Sequence, residues 1–177
     1  MNSLFDTAPS FDQPLAVLKH CHDRIRQQLA TLAKLPAHLQ ENGADIEAQQ
    51  AAFAVIRYFT QGAPNHHADE ENDLLPMLSA SAQGQDAVLL AGLINEILQE
   101  HHTMEHLWEQ LEAQLKAVQQ GDATLLNSDL IEQWNTLYTA HMNKEEQHIA
   151  PMAARLFSPQ QMQQLGSAMQ ARRQAIK

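Results

Sequence analysis

The sequence predicts an all-α fold, namely an up-down-up-down four-helix bundle with a short fifth helix at the C-terminus. Apolar residues recur at alternating spacings of three and four in four long segments, which is typical of helices that bury one face. No segment shows the two-residue alternation of a half-buried strand. Ala, Leu, Gln and Glu dominate a composition with only 5% aromatic residues, which also favours helix. The 177 residues suit one domain over 1–177, with a core bundle at about 12–157 and a C-terminal helix at about 159–174.

The first two helices are predicted from their apolar stripes and their end signals. The first covers about residues 12–34, and Pro14 lies where the first turn of a helix tolerates proline. The second covers about residues 45–78. Gly62 and Pro64 lie inside this segment, so we expect a bend where they interrupt the helix.

The remaining helices follow from the same signals. The third covers about residues 85–120 and is closed by Gly121, a residue type that suits the left-handed conformation at a helix end. The fourth covers about residues 125–157. Ser158 is a good N-cap for a short fifth helix, and Pro159 fits its first position. The first and second helices form one helical hairpin and the third and fourth form another, and antiparallel packing of the two hairpins gives the up-down-up-down order.

Composition excludes several classes of function. The formal net charge is −10 with histidines neutral, and phosphate recognition needs clustered Lys and Arg, so nucleic acid is not an expected partner. A single cysteine, Cys21, allows no intrachain disulfide and no four-cysteine zinc site. Residues 1–13 contain two Asp and no Lys or Arg, which is unlike a signal peptide, and no apolar run is long enough to span a membrane. We therefore expect a cytoplasmic protein without a membrane partner.

The four long segments form two similar hairpins. The first helix overlays the third at an offset of 79 residues, and the second overlays the fourth at an offset of 75. The polar and proline pairs that coincide are His22 with His101, His66 with His141, Glu70 with Glu145, and Pro76 with Pro151. Each hairpin therefore presents the same polar residues at the same depth of the bundle.

Polar residues of this repeat form a candidate metal site. His22 and His101 interrupt otherwise apolar stripes, and a polar group in a bundle core destabilises the fold unless it has a partner. Two His-x-x-x-Glu pairs place both side chains on one helix face. The six candidate metal ligands are His22, His66, Glu70, His101, His141 and Glu145. Two carboxylates can bridge two cations, and mixed nitrogen and oxygen ligands suit iron or manganese better than calcium or magnesium. A structural zinc needs only four ligands, so six candidates indicate two metal ions.

Each candidate has an ordinary structural explanation when it is taken alone. A single buried histidine in a helix is usually hydrogen-bonded, and a single His-x-x-x-Glu is usually a surface pair. The repetition of both features, with the same spacing to a proline, favours a metal site. His67, His102, Glu105 and His106 are weaker candidates, because they lie outside the repeat register or the core face of their helix. Whether these four bind metal stays open.

The runs at residues 66–71 (HHADEE) and 141–146 (HMNKEE), each with a proline downstream, resemble the hemerythrin-like, or HHE cation-binding, family. The resemblance covers about residues 12–157. It implies a non-haem di-iron centre that is bridged by two carboxylates and by an oxo or hydroxo group, with the six candidate ligands matched by position. The same ligands also accept manganese or zinc.

The sequence departs from the oxygen-carrying members of this family at two points. Those carriers have a second histidine on the third helix, one turn from the first, whereas the positions one turn either side of His101 are Ile97 and Glu105. Their last helix carries His-x-x-x-x-Asp, whereas His141 and Glu145 form His-x-x-x-Glu. The ligand set is more similar to the iron-centre repair branch, although the N-terminal cysteine-containing segment usual there is absent from this sequence.

The resemblance favours a binding protein over an enzyme, with a di-iron centre that captures or senses oxygen or nitric oxide. Three alternatives stay open. The first is an iron-handling stress protein that helps to repair damaged iron centres and contacts a protein client. The second is a di-iron enzyme that consumes peroxide or nitric oxide with a redox partner. The third is a structural bundle whose histidines bond to each other.

Overall fold

A computed structural model describes residues 8–123 and 125–175. Within these ranges every regular element is a helix and no strand is found, which confirms the all-α class. The helices are α1 (Pro14–Asn42), α2 (residues 46–81), α3 (Gly84–Gln119), α4 (residues 128–156) and α5 (Pro159–Gln174). Because α1 and α3 each pack against both α2 and α4, these four helices form the predicted bundle, and α5 packs across α1 and α2. Residues 1–7, 124 and 176–177 of the predicted domain lie outside the described residues, and so do residues 1–7 of the segment that is unlike a signal peptide.

A bilayer requires a spanning helix of about 20 mostly apolar residues, and this requirement applies to each described helix. None of them is both long and apolar enough to cross a membrane.

Helix α1 is longer than predicted. It continues through Pro36 and ends before Gly43, whose φ of 68° is the left-handed conformation that stops a helix. Leu35 and Leu39 are buried in the added part. Burying two leucines contributes about 3–6 kcal/mol, which offsets the roughly 3 kcal/mol that an internal proline costs. The predicted end at Lys34 is therefore wrong.

Helices α2 and α4 contain π-helical turns, each of which precedes a proline. The turns and their prolines are Tyr58–Gly62 with Pro64, Glu70–Leu74 with Pro76, and Glu145–Ile149 with Pro151. A proline ring collides with the carbonyl four residues earlier and has no N–H to donate, and in each case that carbonyl lies in the widened turn. Helix α2 therefore continues through Gly62 and Pro64 instead of being interrupted there.

The polar residues of the bundle interior lie in one layer between two apolar clusters. On α1, Leu18 belongs to one cluster and Ile25 to the other, and His22 lies between them. On α3, His101 lies in the same way between Ile97 and Met104. The buried polar side chains are His22, His66, Asp69, Glu70, His101, His141 and Glu145. Apolar packing therefore closes this layer above and below along the bundle.

Helix α5 is held against the bundle beside the polar layer. Ser158 caps it and Pro159 is its first residue, as the sequence predicts. Asp69 of α2 is fully buried and accepts hydrogen bonds from Arg172 and Arg173 of α5. This contact fixes the turn of α2 that enters the polar layer.

Candidate metal centre

Each of the four bundle helices contributes to one buried cluster of imidazoles and carboxylates. The cluster consists of His22 from α1, His66 and Glu70 from α2, His101 from α3, and His141 and Glu145 from α4. All six side chains belong to residues that are at most 4% exposed. The structure thus brings together at one point the six side chains that the sequence pattern selects.

The two carboxylates divide their oxygens between two pairs of histidines. Each carboxylate turns one oxygen to a histidine of its own helix and the other oxygen to a histidine of another helix. The distances from Nε2 to the nearest carboxylate oxygen are 3.1 Å for His66–Glu70, 3.4 Å for His101–Glu70, 3.3 Å for His141–Glu145 and 3.1 Å for His22–Glu145. This geometry suits two cations that are spanned by both carboxylates.

The cluster therefore contains two groups of four potential ligands, and the ligand atoms of each group lie within 4.8 Å of one another. His22 and His66 with the two carboxylates form what we name the first metal position. His101 and His141 with the same carboxylates form the second metal position.

Three of the four imidazoles are oriented by an additional carboxylate on Nδ1. The contacts are His22–Glu146 at 2.9 Å, His101–Glu71 at 2.6 Å and His141–Glu100 at 2.9 Å. An ionised carboxylate only accepts hydrogen bonds, so Nδ1 of each ring must carry the proton. The Nε2 lone pair then faces the centre of the cluster, which is the tautomer that a metal-binding imidazole needs.

The chemistry of these donors fits a metal. His101 and His141 face each other with their Nε2 atoms 3.1 Å apart, although both rings carry their proton on Nδ1. Two lone pairs at this distance repel each other, and a cation that accepts both removes the repulsion. In the described part of the chain, His22 Nε2 and the Oε2 atoms of Glu70 and Glu145 also have no hydrogen-bond partner. Buried polar atoms without partners destabilise a fold, and coordination satisfies all of them.

The chain also matches known proteins over most of its length. A family model described as the hemerythrin HHE cation binding domain matches residues 13–153, which contain both metal positions. The chain belongs to this family. A relative, an uncharacterized protein of Haemophilus influenzae, is 27% identical over 166 residues that cover 93% of this chain and 92% of that protein. The family resemblance seen in the two His-x-x-x-Glu runs is thereby confirmed, and α5 lies beyond the matched part of the hemerythrin domain.

Burial and neighbouring charges set the protonation of the hemerythrin domain's cluster. Burial, and then the nearby charge of Glu145, raise the pKa of Glu70 well above its usual value. Burial would also raise the pKa of Glu145, but His141 and His22 outweigh it, and the pKa of Glu145 is lowered. Burial and the surrounding imidazoles hold the pKa of His66 well below its usual value. A neutral imidazole is the form that binds metal.

His67 is a further residue of the site that the repeat does not select. Its ligand nitrogen lies within 4.8 Å of those of His101 and His141, and its ring stacks on His101 with a centroid distance of 4.0 Å. The equivalent position in the second hairpin is Met142, so the repeat carries no signal for it. Because consecutive residues lie about 100° apart around a helix, His66 and His67 reach different metal positions. The adjacent histidines His66 and His67 are the sequence signal that points to both metal positions.

The other weak candidates lie away from the cluster. The side chains of His102, Glu105 and His106 are 80%, 76% and 72% exposed, and each histidine faces a glutamate of its own helix. The structure therefore does not bring these three side chains to either metal position.

Two cavities reach the cluster or border it. A cavity of about 340 Å³ reaches His22, Glu70 and Glu145 at the first metal position. Its apolar lining consists mainly of Leu15, Leu18, Leu74 and Ile149. A second cavity, of about 260 Å³, borders His67 and is lined by the aromatic residues Phe59, Trp108, Trp134 and Tyr138. Small uncharged molecules can therefore come close to the cluster along largely apolar walls, although Lys19 and Glu146 also line the first cavity and Glu71 and Glu105 the second.

Proposed function

We propose that this hemerythrin domain binds two iron ions through His22, His66, Glu70, His101, His141 and Glu145, and that it captures or senses a small diatomic ligand. Oxygen and nitric oxide are the ligands in question. The observation that carries the proposal is the pair of buried carboxylates, each of which divides its oxygens between two histidine pairs. Mixed nitrogen and oxygen donors of this kind suit iron.

The residues of the chain have separate tasks in this proposal. Ferrous ions, when bound, supply the electrons and the open coordination positions that oxygen or nitric oxide requires. The imidazoles and the two carboxylates bind the ions, and Glu71, Glu100 and Glu146 keep the Nδ1 protons in place and the rings oriented. Leu15, Leu18 and Ile149 give the ligand an apolar approach. A reducing cytoplasm suits both the ferrous state and the free Cys21.

The ligand assignment is tested by anaerobic iron titration of three proteins. The wild type should bind two iron ions per chain, and His141→Ala should lose at least one, since a first-position histidine cannot replace it. His102→Ala is the matched control, because His102 is the exposed neighbour of His101, and it should keep both ions. Equal iron content in His141→Ala and His102→Ala would contradict the assignment.

The ligand itself is tested by adding oxygen or nitric oxide to the reduced, iron-loaded protein. A change in the visible spectrum that reverses when the gas is removed supports capture or sensing. Transfer of iron to an acceptor without such a change would instead support an iron-handling role, and sustained consumption of peroxide or nitric oxide would support an enzyme.

A further inference from the structure

The four imidazoles of the cluster do not have equivalent partners on Nδ1. His101 and His141, which form the second metal position, each donate to a glutamate. At the first metal position only His22 does so. Within the described residues, Nδ1 of His66 has no hydrogen-bond partner.

The sequence repeat explains the missing partner. Glu100, the acceptor for His141, precedes His101 by one residue, and the offset of 79 places Cys21 at the equivalent point before His22. A thiol is a weak hydrogen-bond acceptor and is uncharged when protonated. The first hairpin thus has a cysteine where the second hairpin has the carboxylate that orients its histidine.

A second difference concerns the charge of the remaining glutamates. Glu146, beside the first metal position, also accepts a hydrogen bond from Arg26 at 2.9 Å, so its charge is partly neutralised. Arg26 pairs with Asp23 as well, and Lys19 offsets Asp23 in turn. The offset of 79 places Glu105 at the point equivalent to Arg26. Among the described residues, Glu71 has no lysine or arginine within ion-pair distance, and its one ion-pair partner is His101.

The charges around the second metal position are therefore more negative. Two glutamates, Glu71 and Glu100, lie against its imidazoles, and one cation, Lys144, offsets them while it also pairs with Glu96. A carboxylate on Nδ1 makes the imidazole a stronger metal donor, and additional negative charge attracts a cation.

From these contacts we infer that the two metal positions are unequal, with the second binding its ion tightly and the first binding an exchangeable ion. The inference rests on the proposed function, since it requires metal in the cluster. The first metal position is also the one that the 340 Å³ cavity reaches, so the exchangeable ion has a route to solvent. Outer carboxylates change metal affinity about 10–100-fold, and the two dissociation constants should therefore differ by at least about tenfold.

Cobalt(II) is a suitable probe, because it takes the same ligands and its visible bands report the coordination of each ion. The full-length protein is titrated without oxygen against a competing chelator. The wild type should bind two cobalt ions in two steps. His66→Ala should remove the weak step and leave the tight one, whereas His141→Ala should remove the tight step. Far-UV circular dichroism checks that each variant is folded.

The cause of the difference is tested by Glu100→Cys, which gives the second hairpin the residue that the first hairpin has. The two dissociation constants should approach each other, mainly through a weaker tight step with altered visible bands. Glu100→Gln keeps a hydrogen-bond acceptor without charge and should fall between the wild type and Glu100→Cys. Glu109→Cys is the matched control on the exposed face of α3, where the glutamate side chain is 80% exposed. It should keep the wild-type difference between the two dissociation constants.

The outcomes distinguish the inequality of the two metal positions from the proposed metal centre itself. Two cobalt ions bound with equal affinity would overturn the inequality and leave the proposed metal centre intact. No cobalt binding at all would overturn both. The inference would also fail if His66→Ala lost the tight step, or if both Glu100 variants kept the wild-type difference between the two dissociation constants. Either result would show that the glutamates on Nδ1 do not set the difference in affinity.

Discussion

The contact between α5 and α2 gives a prediction whose size follows from burial. Asp69 is fully buried and accepts two hydrogen bonds from Arg173, at 2.7 and 3.2 Å, together with one from Arg172. The two arginine side chains are 25% and 20% exposed. Water can therefore reach the arginines if the carboxylate loses its charge, whereas methionines of similar size in place of the arginines would keep the carboxylate covered.

The two sides of this ion pair should consequently respond differently to mutation. Replacing both Arg172 and Arg173 by Met leaves a buried, uncompensated carboxylate and should cost about 3–5 kcal/mol of unfolding free energy. Asp69→Asn leaves arginines that can be hydrated, and Arg172 keeps Asp73 as a partner, so the cost should be about 1–3 kcal/mol. The triple variant should recover part of the loss, because no charge then stays buried.

Thermal unfolding of the metal-free protein, followed by far-UV circular dichroism at pH 7, measures these differences. A domain of this size loses about 2–4 °C in Tm per kcal/mol, so the double arginine variant should unfold roughly 10 °C below the wild type. Arg155→Met is the control, since Arg155 is 58% exposed in its pair with Asp86 and should cost less than about 1 kcal/mol. The reasoning fails if Asp69→Asn is as damaging as the loss of both arginines.

Two further predictions concern single residues. A Cβ on Gly166 would lie 1.8 Å from the carbonyl oxygen of Phe11, so Gly166→Ala should lower the unfolding free energy by at least about 1–3 kcal/mol. The control is Gly92→Ala, in open space on α3, which should raise the unfolding free energy by about 0.5–1 kcal/mol. Equal effects of the two substitutions would contradict the close packing of Gly166 against Phe11. The side chain of Asp45 raises the pKa of His38, while a backbone N–H at the start of α2 and then His38 lower the pKa of Asp45. The charged pair therefore stabilises the fold above about pH 4 and below about pH 6.5. This contribution is lost as the pH rises through the raised pKa of His38 or falls through the lowered pKa of Asp45. His38→Gln should thus lower Tm more at pH 5.5 than at pH 8.5, and an equal change at both pH values would refute the pair.

The sequence was sufficient for the helices and for their order because both depend on local spacing. An apolar stripe with a period near 3.6 residues specifies a helix and the face that it buries. His22 and His101 are conspicuous because they interrupt such stripes. The capped start of α5 at Ser158 is equally local. The end of α1 was not predictable in this way, because the burial of Leu35 and Leu39 against other helices outweighs the local effect of Pro36.

The π turns were missed for a related reason. A proline in a helical stretch indicates a break when only its own sequence neighbours are considered. Packing of the flanking turns into the two apolar clusters keeps the helix continuous, and the widened turn accommodates the proline. The turns that begin at Glu70 and Glu145 also set the direction of the two carboxylates, which no spacing rule describes.

By itself, the sequence determined that this chain forms four long helices in two similar hairpins and that each hairpin buries matching His and Glu residues. These are properties of short segments, which the helical period is enough to specify. Only the tertiary structure decided that Glu146 accepts from His22, that Glu71 accepts from His101, and that His67 joins the cluster. Those contacts depend on how far each helix is rotated and shifted along its neighbours, and the packing of the whole bundle sets that geometry.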